Sequence, residues 1–195
     1  VHGVNFINND PNGEDDHSHG SHCGGIIGAK GNNLEGVAGV NWNIKLSALK
    51  FLSSTGSGST SNAIKAIEYG TQMNFKILSN SWGGGGYSQG LYDVMLDYSN
   101  AGGIFVVAAG NSNSNNDYNN AYPCNYDINN VICVASSNQQ DTLSSFSNYG
   151  ADKVHIVAPG SGILSTVLSN NYASYSGTSM ATPQVAGALA LILSI

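Results

Sequence analysis

Several short stretches dominated by apolar residues constrain the fold of this chain more than any other feature. The clearest, Ile104–Ala109 (IFVVAA), contains no polar side chain. A run of this length that is apolar on both sides of an extended chain predicts a strand buried on both faces of a sheet. Val131–Ala135 and Val154–Ala158 predict strands of the same kind. Leu46–Phe51 and Lys76–Ser81 complete a predicted set of five strands.

Amphipathic stretches separate these strands and predict helices between them. In Ser61–Met73 apolar residues recur at helical spacing, and Gln89–Ala101 repeats the pattern before a Gly102-Gly103 stop. Buried strands that alternate with helices are typical of a parallel sheet with helices on both faces. We therefore predict one three-layer α/β domain over residues 1–195, with ligands bound beyond the carboxyl ends of its strands.

The composition argues against two classes of partner. Lys and Arg number 6 against 12 Asp and Glu, and a net charge of −6 speaks against nucleic-acid binding. No apolar run is long enough to span a membrane, and no organic cofactor is predicted. The three cysteines leave two interpretations open. Cys124 and Cys133 form a disulfide in an oxidising compartment with Cys23 free, or all three are reduced thiols.

The stretch Tyr175–Leu193 (YSGTSMATPQVAGALALIL) combines a turn with a helix that is apolar almost all round. Such a helix is predicted to be buried. Ser179 lies near its start, where unpaired backbone N–H groups and the positive end of the helix dipole favour an anion. Ser179 is then either an N-terminal helix cap or a nucleophile whose product anion the helix end stabilises.

Three alternative sites match their motifs only in part. Thr55–Thr60 (TGSGST) lies between a strand and a helix, but it lacks the lysine and third glycine of phosphate-binding loops. The H-x-H-x-x-H spacing of His17–His22 resembles the zinc motif of metallo-β-lactamase-fold hydrolases, but Ser21 replaces the usual aspartate. An α/β-hydrolase needs a histidine after its serine nucleophile, and none follows Ser179.

A fourth arrangement places the histidine before the serine. His22 opens a stretch of small residues (HCGGIIGA) that predicts a closely packed helix, so His22 and Ser179 both lie at helix entrances. Asn111 follows the central strand at the same edge of the sheet, although asparagine is also a common turn residue. We predict Ser179 as the nucleophile, His22 as its base, and the Asn111 amide with the Ser179 N–H as an oxyanion hole.

Three sequence blocks resemble the signatures of the subtilisin-like serine peptidases, or subtilases. They are His19–Gly25 (HGSHCGG), Ala108–Asn111 (AAGN) and Gly177–Gly187 (GTSMATPQVAG), in the order and spacing of that family. Further family-like segments bring the resemblance to essentially the whole chain. It implies a subtilisin-like α/β fold and a serine endopeptidase that hydrolyses peptide bonds, with Ser179, His22 and Asn111 in the roles given above.

The resemblance also implies a substrate and its binding residues. An extended polypeptide would pair as a strand between two walls of a cleft. An inhibitory propeptide is a further candidate partner, and the location implied is secreted or extracytoplasmic. The substrate-binding residues implied are Gly56, Ser57, Gly58, Ser81, Trp82, Gly83, Ala108, Ala109, Gly110 and Thr178.

A structural calcium ion is a second implication of the resemblance. The segment Gly31–Val37 (GNNLEGV) resembles a calcium loop of the family. Its oxygen ligands would be the Asn33 side chain and the carbonyls of Gly31, Glu35 and Val37. An ordinary Asn/Gly turn is the alternative.

One family block does not occur in these residues. Subtilases carry the triad aspartate in a D-S/T-G block before the histidine block, whereas the acids before His22 lie in a polar loop. We therefore expect a sequence truncated at both ends, with a triad aspartate outside this segment and little or no activity of the segment alone. A catalytically inactive, peptide-binding protein of the same fold is the alternative function.

Overall fold

The structure, a computed structural model, describes residues 2–195. In chain order the elements are β1 (His2–Asn5), α1 (His19–Gly28), β2 (Ser47–Lys50), α2 (Thr60–Gln72), β3 (Ile77–Asn80), α3 (Gln89–Asn100), β4 (Ile104–Ala108), β5 (Val131–Ser137), β6 (Ile156–Pro159), β7 (Ile163–Val167), β8 (Asn171–Tyr175) and α4 (Thr178–Ile192). Each strand and helix predicted from the sequence is present, with small shifts at the ends.

A parallel sheet of β3, β4, β5 and β6, in that order, forms the centre of the fold. Alternate residues of β4 face opposite sides because successive side chains of a strand point to opposite faces. Phe105 and Val107 pack with residues of α2 and α3, whereas Val106 packs with residues of α1 and α4. This confirms the predicted three-layer arrangement. The strands β1 and β2 pair in parallel as a separate two-stranded sheet.

The edge strand β6 differs from its prediction. The sequence predicted burial on both faces, but Ile156 and Val157 are 45% and 50% exposed. β6 is the last strand of its sheet and pairs only with β5 among the described residues, so its side chains have fewer neighbours. Ala158 alone of these packs into the apolar cluster beneath α4.

An antiparallel hairpin of β7 and β8, not predicted from the sequence, leads into α4. Leu168, Ser169 and Asn170 connect the two strands, and Ser169 and Asn170 have φ values of 63° and 53°. The hairpin packs on α1, where Ser165 Oγ donates to the His22 carbonyl at 2.8 Å. It therefore joins the helix of the histidines to the helix of Ser179.

The helix α4 is buried over its first half and exposed near its end. Ser179 and Pro183 are its second and sixth residues, and the residues from Thr178 to Gly187 are buried or partly buried. Leu191 and Ile192, by contrast, are 42% and 64% exposed in this chain. The predicted burial therefore holds only for the first ten of the 15 residues of this helix, which include Ser179.

Two further sequence questions are answered by the fold. Cys124 and Cys133 form a disulfide and Cys23 is free, which agrees with the first of the two interpretations. Among residues 2–195, no helix is both long enough and apolar enough to cross a membrane.

Candidate active site

Ser179 lies where α4 begins, next to the end of β3. Its side chain is partly buried, and its Oγ donates to the Ser81 carbonyl at 3.3 Å. As the second residue of α4, it has a backbone N–H with no acceptor inside the helix. Ser179 thus presents a hydroxyl and a free backbone donor at the same point.

Pro183 determines which partners the Ser179 carbonyl has. In a regular helix the N–H of residue 183 would bond the carbonyl of residue 179, but proline has no N–H. The Ser179 carbonyl instead accepts a hydrogen bond from Ser81 Oγ at 2.8 Å and a weaker one from Cys23 Sγ at 3.4 Å. Because the regular helix bond is missing, the Ser179 carbonyl is free to accept these two bonds. They connect Ser179 to the end of β3 and to α1.

Thr178 determines the orientation of the Asn111 amide. Asn111 Oδ1 accepts hydrogen bonds from the Thr178 N–H at 2.8 Å and from the Thr178 hydroxyl at 3.0 Å. Only the oxygen of the amide can accept them, so Nδ2 is the atom left to donate elsewhere. A β-carbon on Gly177 would lie 3.6 Å from both Asn111 Nδ2 and Ser179 N. The two predicted oxyanion donors therefore flank one point of the backbone.

The environment of His22 does not suit the role of base that the sequence predicted for it. Its side chain is 0% exposed, and its Nε2 lies 3.1 Å from the Ile163 carbonyl and 3.0 Å from the Ala173 carbonyl. Because carbonyls only accept, Nε2 carries the proton and cannot take one from a serine. Nδ1 is buried without a partner. His22 stacks on Tyr175 at a ring distance of 4.3 Å, so it fastens α1 to the hairpin.

His19 lies nearer than His22 to the open end of α1. It is the first residue of α1 and is partly buried. Cys23, four residues later, reaches the Ser179 carbonyl, and residues four apart lie on the same face of a helix. His19 is therefore one turn from that contact, on the Ser179 side and at the open end of α1.

The environment of His19 favours a neutral imidazole. Burial lowers the pKa of His19, and the nearby His17 lowers it further, while Asp15 acts in the opposite direction. A base must be unprotonated at its working pH, so a lowered pKa suits this role at neutral pH.

Asp15 holds the loop that precedes His19. Its Oδ1 accepts the N–H of His17 at 2.8 Å and of Ser18 at 3.1 Å, and its Oδ2 accepts that of Ser21 at 2.8 Å. Burial would raise the pKa of Asp15, but these bonds and one from the Ser21 hydroxyl lower it overall. Within residues 2–195, no acidic side chain is hydrogen-bonded to the His19 ring.

The predicted substrate-binding residues include two segments, Gly56–Gly58 and Ser81–Gly83. Gly56, Ser57 and Gly58 are exposed, but they form a turn closed by a Leu52–Gly58 bridge instead of the expected edge strand. Trp82 is partly buried against Phe51, with ring centroids 5.0 Å apart. These segments are held in place by neighbouring backbone and by one aromatic contact.

Ala108, Ala109 and Gly110, which the resemblance implies as substrate-binding residues, are only partly accessible. Ala108 and Gly110 are partly buried, but Ala109 is 0% exposed. The Ala109 carbonyl is also occupied, since the side-chain amides of Asn116 and Asn148 donate to it. Of these three residues, Ala109 is therefore packed inside the protein.

The zinc alternative and the phosphate-loop alternative both lose support. In the described part of the chain, no three His, Cys, Asp or Glu side chains are grouped so that they could hold a metal ion. At the start of α2, Ser59 Oγ accepts the Asn62 N–H at 3.2 Å, so that helix end is capped by its own side chain. The calcium-like loop makes a similar internal bond, from Glu35 N to Asn33 Oδ1 at 3.2 Å.

Comparison with known proteins identifies the family. A family model described as the subtilase family matches residues 1–195. The chain belongs to the subtilase family. It is 41% identical over 194 residues to thermitase of Thermoactinomyces vulgaris, covering 100% of this chain and 67% of thermitase. It is 42% identical over 196 residues to subtilisin DY of Bacillus licheniformis, covering 100% of this chain and 70% of that protein.

A solved structure supports the same assignment of fold. A crystal structure of a cold adapted subtilisin-like serine proteinase superposes on this subtilase with a TM-score of 0.89 at 36% identity. The match covers 100% of this chain and 67% of that one. The relatives are serine proteases, and the subtilase assignment excludes the α/β-hydrolase alternative.

Sequence signals were available for two features of this subtilase that were missed. The alternation in ILSTVLSNNYASY, with a polar Ser169-Asn170 pair in the middle, is typical of a hairpin. The small-residue stretch after His22 predicted close packing, and a closely packed His22 is poorly placed to meet a substrate. No pattern in the sequence predicts the hydrogen-bond partners of Asn116 and Asn148.

Proposed function

We propose that this chain carries the active site of a serine endopeptidase, with Ser179 as nucleophile and His19 as general base. The observation that carries this proposal is the arrangement around Gly177, where Asn111 Nδ2 and the Ser179 N–H flank one point. Two donors at the mouth of a buried helix are suited to the oxygen of a tetrahedral intermediate.

The reaction follows from these positions. Ser179 Oγ attacks the carbonyl carbon of the scissile peptide bond, and His19 accepts the hydroxyl proton. Asn111 Nδ2 and the Ser179 N–H stabilise the negative charge that develops on the substrate oxygen. His19 then donates its proton to the leaving amine, and water releases the acyl group by the same steps in reverse.

A carboxylate that orients the base completes this mechanism. Asp15 is committed to three backbone N–H groups, so it does not serve. We place the orienting aspartate outside these residues, in the part of the relatives' length that this chain does not match. The 195-residue chain alone is then expected to have little or no activity.

The proposed substrate is an extended polypeptide. It lies between the exposed segment Gly56–Gly58 and the segment Ser81–Gly83, with its reactive carbonyl at Ser179. Ala108 and Gly110 border the pocket for the side chain before the cut, where no charged residue stands, so an apolar side chain is favoured. A secreted or extracytoplasmic location and an inhibitory propeptide are parts of the same proposal.

A structural calcium ion fits the loop Lys30–Ala38, which curls around a cavity of about 290 Å³. Asn33 Oδ1 has two lone pairs, and the bond from Glu35 N uses one of them. The other, with the carbonyls of Gly31, Glu35 and Val37, would supply oxygen ligands of the kind that calcium prefers. If so, a chelator lowers the melting temperature of the protein.

The test uses the natural full-length polypeptide and its Ser179→Ala variant. Each is assayed for hydrolysis of a peptide library and for labelling by a fluorophosphonate, which reacts with activated serines. We expect labelling at Ser179 and hydrolysis by the parent protein only. A folded parent that binds peptides but is neither labelled nor active would establish the inactive, peptide-binding alternative.

A further inference from the structure

Asn111 belongs to the loop that follows β4. One residue, Asn148, binds this loop on both sides of Asn111. The backbone N–H of Asn148 donates to the Gly110 carbonyl at 2.9 Å. The side-chain Oδ1 of Asn148 accepts the Ser112 N–H at 2.8 Å. Both neighbours of Asn111 are therefore bonded to the same residue.

The amide of Asn148 uses all of its hydrogen-bonding capacity. Besides Ser112, its Oδ1 accepts the Ser114 N–H at 3.2 Å. Its Nδ2 donates to the Ala109 carbonyl at 3.1 Å and to Asn116 Oδ1 at 2.9 Å. Asn148 is 4% exposed, so these bonds form away from water, where each lost partner is costly.

Gly110 lets the loop approach the amide this closely. A β-carbon on Gly110 would lie 2.5 Å from Asn148 Nδ2, and the φ of Gly110 is +111°, which favours glycine. The backbone beside Asn148 adds two bonds, from Asn113 N to the Phe146 carbonyl at 2.8 Å and from Tyr149 N to the Ser114 carbonyl at 3.0 Å. The loop is thus bound along its length to the segment of Asn148.

We propose that Asn148 is a positioning residue of the oxyanion hole, which acts by holding the backbone on both sides of Asn111. This inference rests on the proposed function. Thr178 orients the Asn111 amide, and Asn148 fixes the backbone from which that amide extends. A displacement of the amide nitrogen weakens its bond to the charged intermediate much more than its contact with the uncharged substrate.

Two substitutions remove the Asn148 bonds in different ways. In Asn148→Asp the second oxygen cannot donate to the Ala109 carbonyl or to Asn116 Oδ1, and it brings a buried charge. Asn148→Ala leaves the N–H groups of Ser112 and Ser114 without their acceptor, but introduces no charge. The alanine variant therefore serves if the aspartate variant does not fold.

Asn125 offers a matched control. It is 7% exposed, its Nδ2 donates to the Asn116 carbonyl and to Asn120 Oδ1, and its Oδ1 accepts the Ala121 N–H. Asn125 bonds none of the residues from Gly110 to Ser114. Asn125→Asp makes the same chemical change in the same buried network, so it reports a structural loss without displacement of Asn111.

The kinetic test is a double-mutant cycle with Asn111→Ala in the natural full-length polypeptide. We expect Asn148→Asp to lower kcat by about 10- to 100-fold in the parent, with little change in KM. In the Asn111→Ala background the same substitution should lower kcat by less than about threefold, because the donor it positions is gone. Equal factors in both backgrounds would show a merely structural role and overturn the inference.

Hydrogen exchange gives a second readout that does not depend on activity. The Ser112 and Ser114 N–H groups should exchange faster in Asn148→Ala than in the parent, and at the parent rate in Asn125→Asp. Unchanged exchange in Asn148→Ala contradicts the inference. A parent protein without activity or labelling at Ser179 contradicts the proposed function instead, so the two failures are distinguishable.

Discussion

The nucleophile side of the proposed active site, around Ser179, is held by hydrogen bonds among its own residues, whereas the base side, around His19, has few such bonds within the described residues. On the nucleophile side, Thr178 bonds Asn111 and Gly110, and the Ser179 carbonyl is held by Ser81 and Cys23. On the base side, the described residues give His19 no hydrogen-bonding partner for its ring. Only the loop before it is anchored, by Asp15.

This difference separates two requirements of the reaction. The oxyanion donors must be in place before charge develops, and the many bonds around Asn111 meet that need within the chain. The base must be oriented by a third group, which the described residues do not provide. In the proposed mechanism, the nucleophile side is therefore arranged by the chain's own hydrogen bonds, and the base side depends on a further carboxylate.

The largest expected effect comes from exchanging the two histidines of α1 for glutamine, one at a time. In the natural full-length polypeptide, His19→Gln should lower kcat by about 10⁶-fold, the order of loss known from subtilisin when its base is removed. His22→Gln keeps a side-chain donor toward the Ile163 and Ala173 carbonyls, so it should lower the melting temperature and change kcat by less than about tenfold. A kcat loss that is larger for His22→Gln would restore His22 as the base.

A smaller effect is expected from removal of the Thr178 hydroxyl, which donates a hydrogen bond to Asn111 Oδ1. Thr178→Val keeps the shape of the side chain but removes the bonds to Asn111 Oδ1 and from the Gly110 N–H. We expect kcat to fall about tenfold, which corresponds to roughly 1.4 kcal/mol. Steady-state kinetics on peptide substrates measures this directly.

The neighbouring threonine is the control for this prediction. Thr182 is also 0% exposed, and its hydroxyl donates to the Thr178 carbonyl at 2.9 Å. Thr182→Val should lower the melting temperature with little change in kcat. If both variants lose activity equally, the Thr178 hydroxyl does not act through Asn111.

The smallest effect expected is a pH dependence of the free energy of unfolding that comes from His22. Burial lowers the pKa of His22 from 6.5, although its bonds to Ala173 and Ile163 oppose this. Between the lowered folded value and the unfolded value, the unfolded chain binds more protons. The contribution of His22 is therefore fully present above about pH 6.5 and is lost as the pH falls through that range.

Melting temperatures measured from pH 7.5 down to pH 4.5 would check this prediction. The decrease should be smaller in His22→Gln than in the parent, because glutamine does not titrate. His19 also has a lowered pKa and contributes with the same sign, so His19→Gln serves as the comparison. Parallel curves for the parent and His22→Gln would refute the prediction.

Much of the central fold could be predicted because its signals are local. Ile104–Ala109 is apolar throughout, and the structure buries β4 between two helical layers. The position of Ser179, the proposed nucleophile, could be predicted for the same reason. A turn followed by an apolar helix puts Ser179 at a helix start. The exposure of β6 could not be predicted, because position in a sheet depends on which strands are neighbours.

The sequence by itself determined the types of residue that meet in this protein: a serine at a helix start, an asparagine after a central strand, and two histidines at a second helix start. Only the tertiary structure decided which of the two histidines is buried. His19 and His22 are three residues apart, and their environments differ because the hairpin of β7 and β8 packs over His22 and supplies two carbonyls. Contacts between residues more than 140 positions apart leave no local pattern in the chain, so the burial of His22, on which the choice of His19 as the proposed base rests, follows from packing.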